Sequence, residues 1–552
     1  MGYALILVGM GGLLWQGARS WEAWLTVSGL IWLVGIFGFW KWDRDRCGIW
    51  WVWVGWLVLS VVSSQEPWTS AEALAHVIPC VFFFTVGVGL WGEGHQEVWL
   101  VSLWLLGSFL GAWALCQRIF IDGASPGWIP PNPNYTGCVM GAVLVSSLSA
   151  LTLGKREGWH KVLLLLIVTL AAATLWNLRS RGAILSVFLL IPWLGLGRFS
   201  RRGIWVTGIL FALLLGIMSL PQWEALTKVQ SESFSYRTWI WQTGIRVAQQ
   251  FPLLGIGPGV FERGYLQNNF PAFNGLSYYG HYADNAHSHL IQLAAESGIW
   301  VAILFIWAFL ESLGWAWKSF KQDQNTLRVA AVASAAAVFL HASVDGIFVL
   351  PGIQLLFFGC LACAVCGDSE QWSEISSTPR TLAVAGFLFC GSVLGISRII
   401  PRDKNTSPAN FEVYAAAARE AILRRPSNPA QAWGFLAQAA EQNPTNAVLW
   451  AQRAEVVRGF GDWPEVARCA YRAVGLEPNF VAAHLLLAES LWRLGRTRAA
   501  KQELERAVRI HADKNLNKPT SGYEEFIPEL DEQRFKFLRQ LFLIEPLTHA
   551  TP

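Results

Sequence analysis

Arg181 in LRSRGAILS and Arg237 in SYRTWIW place guanidinium groups beside apolar runs. A guanidinium stays charged and grips a diphosphate through two parallel hydrogen bonds. An arginine at a membrane edge also snorkels into headgroups with no further role, so neither residue decides alone. His287 stands in YADNAHSHLIQLAAESG, where a helix is expected to begin with Asp284 or Asn285 as its N-cap. A helix N-terminus disfavours the imidazolium and leaves a neutral ring able to take a proton, as a general base must. A lone histidine more often merely bonds its own loop.

Weaker candidates surround these three. Arg179 and Arg181 are basic residues in a turn whose side of the membrane breaks the charge rule, which points to a task for them. His289, Gln292 and Glu296 share one helix face by spacing and read as a polar seam. Asn132 and Asn134 open an apolar run in PPNPNYTG, suited either to sugar hydroxyls or to a simple cap and turn. Asp345 in HASVDGIF is an acid in apolar surroundings, a placement costly enough to suggest a site.

No metal or cofactor is expected. His281, His287 and His289 have no carboxylate or cysteine at zinc spacing. Asp43 and Asp45 form a D-x-D in a basic turn and read as solvated loop. Cys360, Cys363 and Cys366 lie in the apolar LFFGCLACAVCG, where small buried residues are the ordinary reading.

The elements that must position these groups are membrane helices. Only 14% of the 552 residues are charged, and mean hydropathy is +0.36. Apolar runs recur from Leu5 to Ile400, which predicts an all-α, polytopic membrane region over residues 1–400 with 12 to 13 spans. The spans include 182–197, 203–220, 289–317 and 327–349. Basic clusters at Lys41–Arg46, Lys155–Lys161, Arg198–Arg202 and Lys318–Arg328 predict one cytoplasmic side. The long loop 221–288, which holds FPLLGIGPG, Arg246, Glu262, Arg263, His281 and Asp284, then lies outside and reads as the catalytic loop. No cleaved signal peptide is read at Met1–Trp15.

Past Pro401 the composition turns polar. Residues 401–412 read as a linker, 413–514 as helical repeats and 515–552 as a capping helix (522–543) with a tail. Trp450, Ala454, Gly461-Asp462-Trp463, Ala473 and Pro478 open a pattern that Ala488, Gly495 and Ala507 repeat, at the even step of a helical-repeat family. Ala432, Leu436, Ala439 and Pro444 form a degenerate earlier copy. This resembles a tetratricopeptide α-solenoid, which implies a protein partner or self-association rather than chemistry. Nothing points to nucleic acid.

PNPNYTG, SRGA at a span start, R-T-W-I-W with FPLLGIGPG, and AHSHLIQLAAESG, in that order, resemble the O-antigen ligase superfamily of ligases, polymerases and pilin-type O-oligosaccharyltransferases. The resemblance covers roughly residues 50–367 and is strongest from Arg179 to Gly298, with Ser288 where the family pattern has Asn. It implies a metal-independent, GT-C-type glycosyltransferase in the bacterial inner membrane, with its site on the periplasmic side. The donor would be a glycan on undecaprenyl diphosphate, and the acceptor a hydroxyl of a glycan, lipid A core or protein. Arg181 and Arg237 would hold the diphosphate, and His287 would orient or deprotonate the acceptor. The alternative is a transporter of a small anion or lipid-linked sugar, which predicts ionisable residues deep in the spans. A scaffold whose membrane part only anchors is a third reading, and thirteen spans exceed what an anchor requires.

Overall fold

Apolar runs become helices wherever the chain is described. The computed structural model describes residues 1–38, 42–121, 132–154, 158–195, 232–270, 283–367, 378–399, 411–423, 427–513 and 530–544. No strand occurs among these residues. The expected span 203–220, residues 221–231 and 271–282 of the expected catalytic loop with His281, and most of the linker lie outside them. The chain forms two compact units. The first is Met1–Ser231, Ala248–Val260 and Ala286–Ile399; the second is Glu232–Val247, Phe261–Asn285 and Ile400–Pro552.

In the first unit the helices are α1 Gly2–Leu14, α2 Trp21–Phe37, α3 Arg44–Val62, α4 Pro67–Leu90, α5 Glu93–Phe120, α6 Pro133–Leu153, α7 Trp159–Leu178 and α8 Arg181–Gly195. Further along come α11 His289–Ser297, α12 Ile299–Asp323, α13 Thr326–Ala342, α14 Pro351–Val365 and α15 Thr378–Ile399. Among the described residues six of them, α3, α4, α5, α6, α7 and α12, are long and apolar enough to cross a membrane; the described apolar stretches of the others are shorter. Trp159 and Trp176 are 67% and 80% exposed at the two ends of α7. Seventeen residues of helix separate them by about 25 Å, close to a hydrocarbon thickness, as interfacial anchors require. Other tryptophans serve the core instead. Trp50 is fully buried, packs edge-on against Phe305 and Phe358, and donates to Ser312 Oγ at 3.0 Å.

Two expected spans are broken. The run 289–317 divides at Gly298, whose φ of +92° and contact with the Leu253 carbonyl leave no place for a side chain. The run 327–349 stops at Ala342; residues 343–346 turn, and a 3₁₀ helix spans Ile347–Val349. A stretch that hydropathy reads as continuous thus ends in a turn that carries Asp345.

Contacts separate two ends of this bundle. At one end Arg328 is buried and donates to Asp323 Oδ2 at 2.5 Å and to the Cys366 carbonyl at 2.6 Å. Lys318 and Arg46 lie over the Trp315 ring there. Asp43 turns out to cap α3, accepting from Arg46 N at 3.0 Å, so the D-x-D is a cap rather than free loop. The other end is reached by following α13, about 20 Å from Arg328 to His341.

The second unit holds most of α9 Glu232–Gln250, with α10 Phe261–Asn268 and seven C-terminal helices. These are α16 Phe411–Leu423, α17 Pro429–Gln442, α18 Ala447–Arg458, α19 Trp463–Leu476, α20 Val481–Arg493, α21 Thr497–Ala512 and α22 Glu532–Leu541. The starts of α17, α19 and α21, at Pro429, Trp463 and Thr497, are evenly stepped, and the same step separates Ala447 of α18 from Val481 of α20. Ala454, Ala473, Ala488 and Ala507 are fully buried where these helices meet. Helix α22 falls within the expected 522–543, of which 522–529 lie outside the described residues, and buries Phe535 and Leu538 against α20 and α21. Its Arg534 reaches Glu455 at 3.3 Å and Glu489 at 3.5 Å, two acids at equivalent positions of successive repeats.

Candidate active site

His287 lies just outside α11. Its backbone is left-handed, φ 47°, and Ser288 is the N-cap, its Oγ facing Ile291 N at 3.5 Å. The expected cap at Asp284 or Asn285 is therefore corrected by one turn of chain: Ser288 supplies the acceptor, and the imidazole precedes the helix.

A buried carboxylate faces that imidazole. Asp345 Oδ1 is 3.6 Å from His287 Nδ1, an ion-pair distance and longer than a hydrogen bond. Asp345 Oδ2 accepts from Asn134 Nδ2 at 2.5 Å, and Oδ1 accepts from Gly346 N at 2.8 Å. His341 Nε2 lies 4.0 Å from Oδ2. The side chains of His341, Asp345 and His287 are 0%, 4% and 33% exposed. Only His287 of the three is open enough to meet a substrate.

Helix ends bring these residues together. Asn132 caps α6 by accepting from Asn134 N at 2.9 Å, which aims the next amide at Asp345. One turn into α6, Gly137 abuts Ser180 in the turn between α7 and α8. That turn is Arg179, the left-handed C-cap of α7 at φ 52°, then Ser180, then Arg181 opening α8. Both arginines are exposed. Gly182 lies against His341: a methyl group at Gly182 would sit 2.5 Å from the ring Cδ2. Arg181 thus opens the helix that touches the third member of the carboxylate cluster.

The glycine-rich turn FPLLGIGPG is a clamp. Ile256 N donates to Ala295 O at 3.2 Å, Gly257 N to Glu296 O at 2.7 Å, and Ile299 N to Pro252 O at 3.0 Å. Gln65 N bonds Ile256 O at 3.0 Å, and Ser60 Oγ bonds Leu254 O at 2.6 Å. Gly257, at φ 117°, is pressed onto Ser64 and Ser70. The turn fixes α11, and with it the base of the His287 loop, to α3 and α4.

Of the remaining candidates, Gln292 and Glu296 form the expected seam, Nε2 to Oε1 at 3.0 Å. His289 does not join it. Its ring stands edge-on to Phe305 and Phe348 at 5.0 and 4.7 Å. Arg237 is half-buried in α9 within the second unit, where Trp239 two residues on packs against Phe270 at 5.0 Å. Among the described residues no three His, Cys, Asp or Glu side chains are arranged to hold a metal ion. Sequence reasoning missed His341. Its signal was the i, i+4 spacing to Asp345 at the end of an apolar helix.

What these residues can do together is orient one exposed imidazole against a fixed carboxylate, beside a basic helix start. Residues 163–306 match the family model described as O-Antigen ligase. The match runs from within α7 to the first turns of α12, so it includes Arg179, Arg181, Arg237 and His287. Asn134, His341 and Asp345 fall outside it. It supports the O-antigen ligase superfamily and a membrane glycosyltransferase-type function in polysaccharide biosynthesis. No curated protein matches the chain.

Proposed function

We propose that this protein transfers a glycan from undecaprenyl diphosphate to an acceptor hydroxyl at the outer face of the bacterial cytoplasmic membrane. The observation that carries the reading is the Asp345-backed His287 at the same end of the bundle as Arg179 and Arg181. The basic residues Arg46, Lys318, Lys321 and Arg328 occupy the far end, as a cytoplasmic end should.

In this reading the acceptor oxygen bonds to the anomeric carbon as the bond from that carbon to the phosphate oxygen breaks. The electron pair leaves with the diphosphate. Arg181 and Arg237 hold that anion and stabilise its growing charge. The hydroxyl proton passes to His287, with Nδ1 turned to Asp345 and Nε2 left for the acceptor. Asn134 fixes the carboxylate, Arg179 adds positive charge, the Gln292–Glu296 seam supports α11, and His289 anchors its start by packing on Phe305 and Phe348. No metal or cofactor enters the scheme. The helix array takes the tetratricopeptide form, is periplasmic by the topology of the basic clusters, and binds a protein partner; the acceptor is a hydroxyl of a glycan, lipid A core or protein.

Transport finds less support. Between Arg328 and His341 only Ser334 is polar in VAAVASAAAVFL, so α13 offers no mid-span path of ionisable groups. The test is glycan transfer by membranes carrying His287→Ala or Arg237→Ala. Loss in both is expected; full activity in both rejects the assigned roles.

A further inference from the structure

His341 has no part in the scheme above, yet its placement is specific. It is sealed from solvent, with its Nε2 facing Asp345 Oδ2 at 4.0 Å, while His287 approaches Oδ1 of the same carboxylate at 3.6 Å. Its other neighbour is the first turn of α8. Gly182 follows Arg181 directly, and a methyl there would stand 2.5 Å from Cδ2 and 2.7 Å from Nε2 of the ring. A core histidine needs neither contact. One ring therefore lies against the helix start that carries the cation and within ion-pair range of the carboxylate that faces the base.

We propose that His341 is a positioning residue that couples the Arg181 helix start to the orientation of His287 through Asp345. Close-packed groups pass on small displacements because nothing between them can yield. When Arg181 closes on a diphosphate, α8 settles against the His341 ring. The ring sets the tilt of the Asp345 carboxylate, already pinned by Asn134 and Gly346 N, and the carboxylate sets His287. The device ties base orientation to donor occupancy, so an acceptor alone meets a poorly aimed imidazole. This inference rests on the glycosyltransferase reading and adds a residue outside the matched segment.

The experiment measures glycan transfer in native membranes holding the full chain, with a synthetic undecaprenyl-diphosphate oligosaccharide as donor. Four variants are compared at equal protein level: His341→Phe, His341→Gln, Gly182→Ala and His287→Ala. His341→Phe keeps a ring but offers Asp345 no N–H; it is expected to lower kcat about tenfold or more and leave the donor KM within about twofold. His341→Gln returns an amide N–H near the Nε2 position and should keep kcat within about threefold of wild type. Gly182→Ala displaces the ring without deleting it and should behave like His341→Phe; it carries the test if His341→Phe fails to accumulate. Wild-type kcat in His341→Phe, a change in KM alone, or equal loss in His341→Gln and His341→Phe overturns the proposal. Full activity in His287→Ala brings down the glycosyltransferase reading and this inference with it, and is distinguishable because His341 is then irrelevant to the readout.

Discussion

The site-bearing end of the bundle and the C-terminal helix array are built from the same material, α-helices packed on small residues, and they place irregular backbone differently. In the array the left-handed positions between helices, among the described residues, are Gly461 at φ 75° and Gly495 at φ 76°, one repeat step apart, where glycine adopts them without strain. At the bundle end glycines such as Gly257 and Gly298 take left-handed angles too, but so do residues with side chains, among them Arg179 at φ 52° and His287 at φ 47°. Each costs about 1 kcal/mol or more for a residue with a Cβ. A repeat can use the residue that suits its turn. A site must keep the residue its chemistry requires and impose the backbone from around it, here through the clamp at Gly257 and the cap at Ser288.

If that contrast is functional, the largest effects belong to the strained residues. His287→Ala should reduce glycan transfer by about 10² to 10⁴ while leaving the amount of protein in the membrane unchanged, since it removes the proposed base and keeps a Cβ at the same left-handed backbone. Retained transfer in that variant would leave the left-handed histidine without a purpose. Gly257→Ala comes next. Its methyl would enter the space of Ser64 and Ser70 at a backbone angle that alanine resists, so about 1–3 kcal/mol of local strain falls on the clamp. Transfer should drop with α11 loosened, and hydrogen exchange at Ala295–Ile299 should rise. Unchanged exchange would show that the turn does not hold the site.

The contrast also explains what could be read in the sequence. Helical periodicity and apolar length are local, so the helices of the bundle and the even spacing of the array were legible residue by residue. Arg181 and His287 stood out because their types conflict with apolar surroundings. The pairing of Asn134 with Asp345 joins residues 211 positions apart, and no local pattern announces it. The breaks at Gly298 and Ala342 were hidden for another reason: hydropathy registers apolar composition and is blind to the dihedral angles that end a helix. His341 went unread because its contact with Gly182 joins residues far apart in the chain.

In the array the expected effects are smaller and, by repetition, paired. Ala454 and Ala488 are fully buried at equivalent positions of successive repeats. Ala454→Leu and Ala488→Leu should each overpack the helix crossing by about 1–3 kcal/mol and lower the thermal midpoint to a similar extent. A large loss in one with none in the other would show that the sequence period does not reflect equivalent packing.

The smallest expected effect is a pH dependence seated between α20 and α21. His484 Nδ1 faces Glu503 Oε2 at 2.8 Å, and Arg506 donates to Glu503 Oε1 at 2.7 Å. Burial alone would raise the Glu503 carboxyl. The hydrogen bond from His484, the charge of that partner and the charge of Arg506 outweigh it and hold the carboxyl below its ordinary value. A carboxylate depressed in the folded state contributes stability above its unfolded pKa, about 4.3, and loses that contribution as pH falls through the lower folded value. Glu503→Gln should therefore cost about 1 kcal/mol near neutral pH, the net worth of a typical hydrogen bond, since the amide keeps one acceptor for His484 and Arg506 is half exposed. The gap between wild type and variant should narrow under acid until the two melt together. Melting curves from neutral pH down to below the usual carboxylate range provide the check. A gap that stays constant would mean that packing of Glu503, and not its charge, holds these two helices.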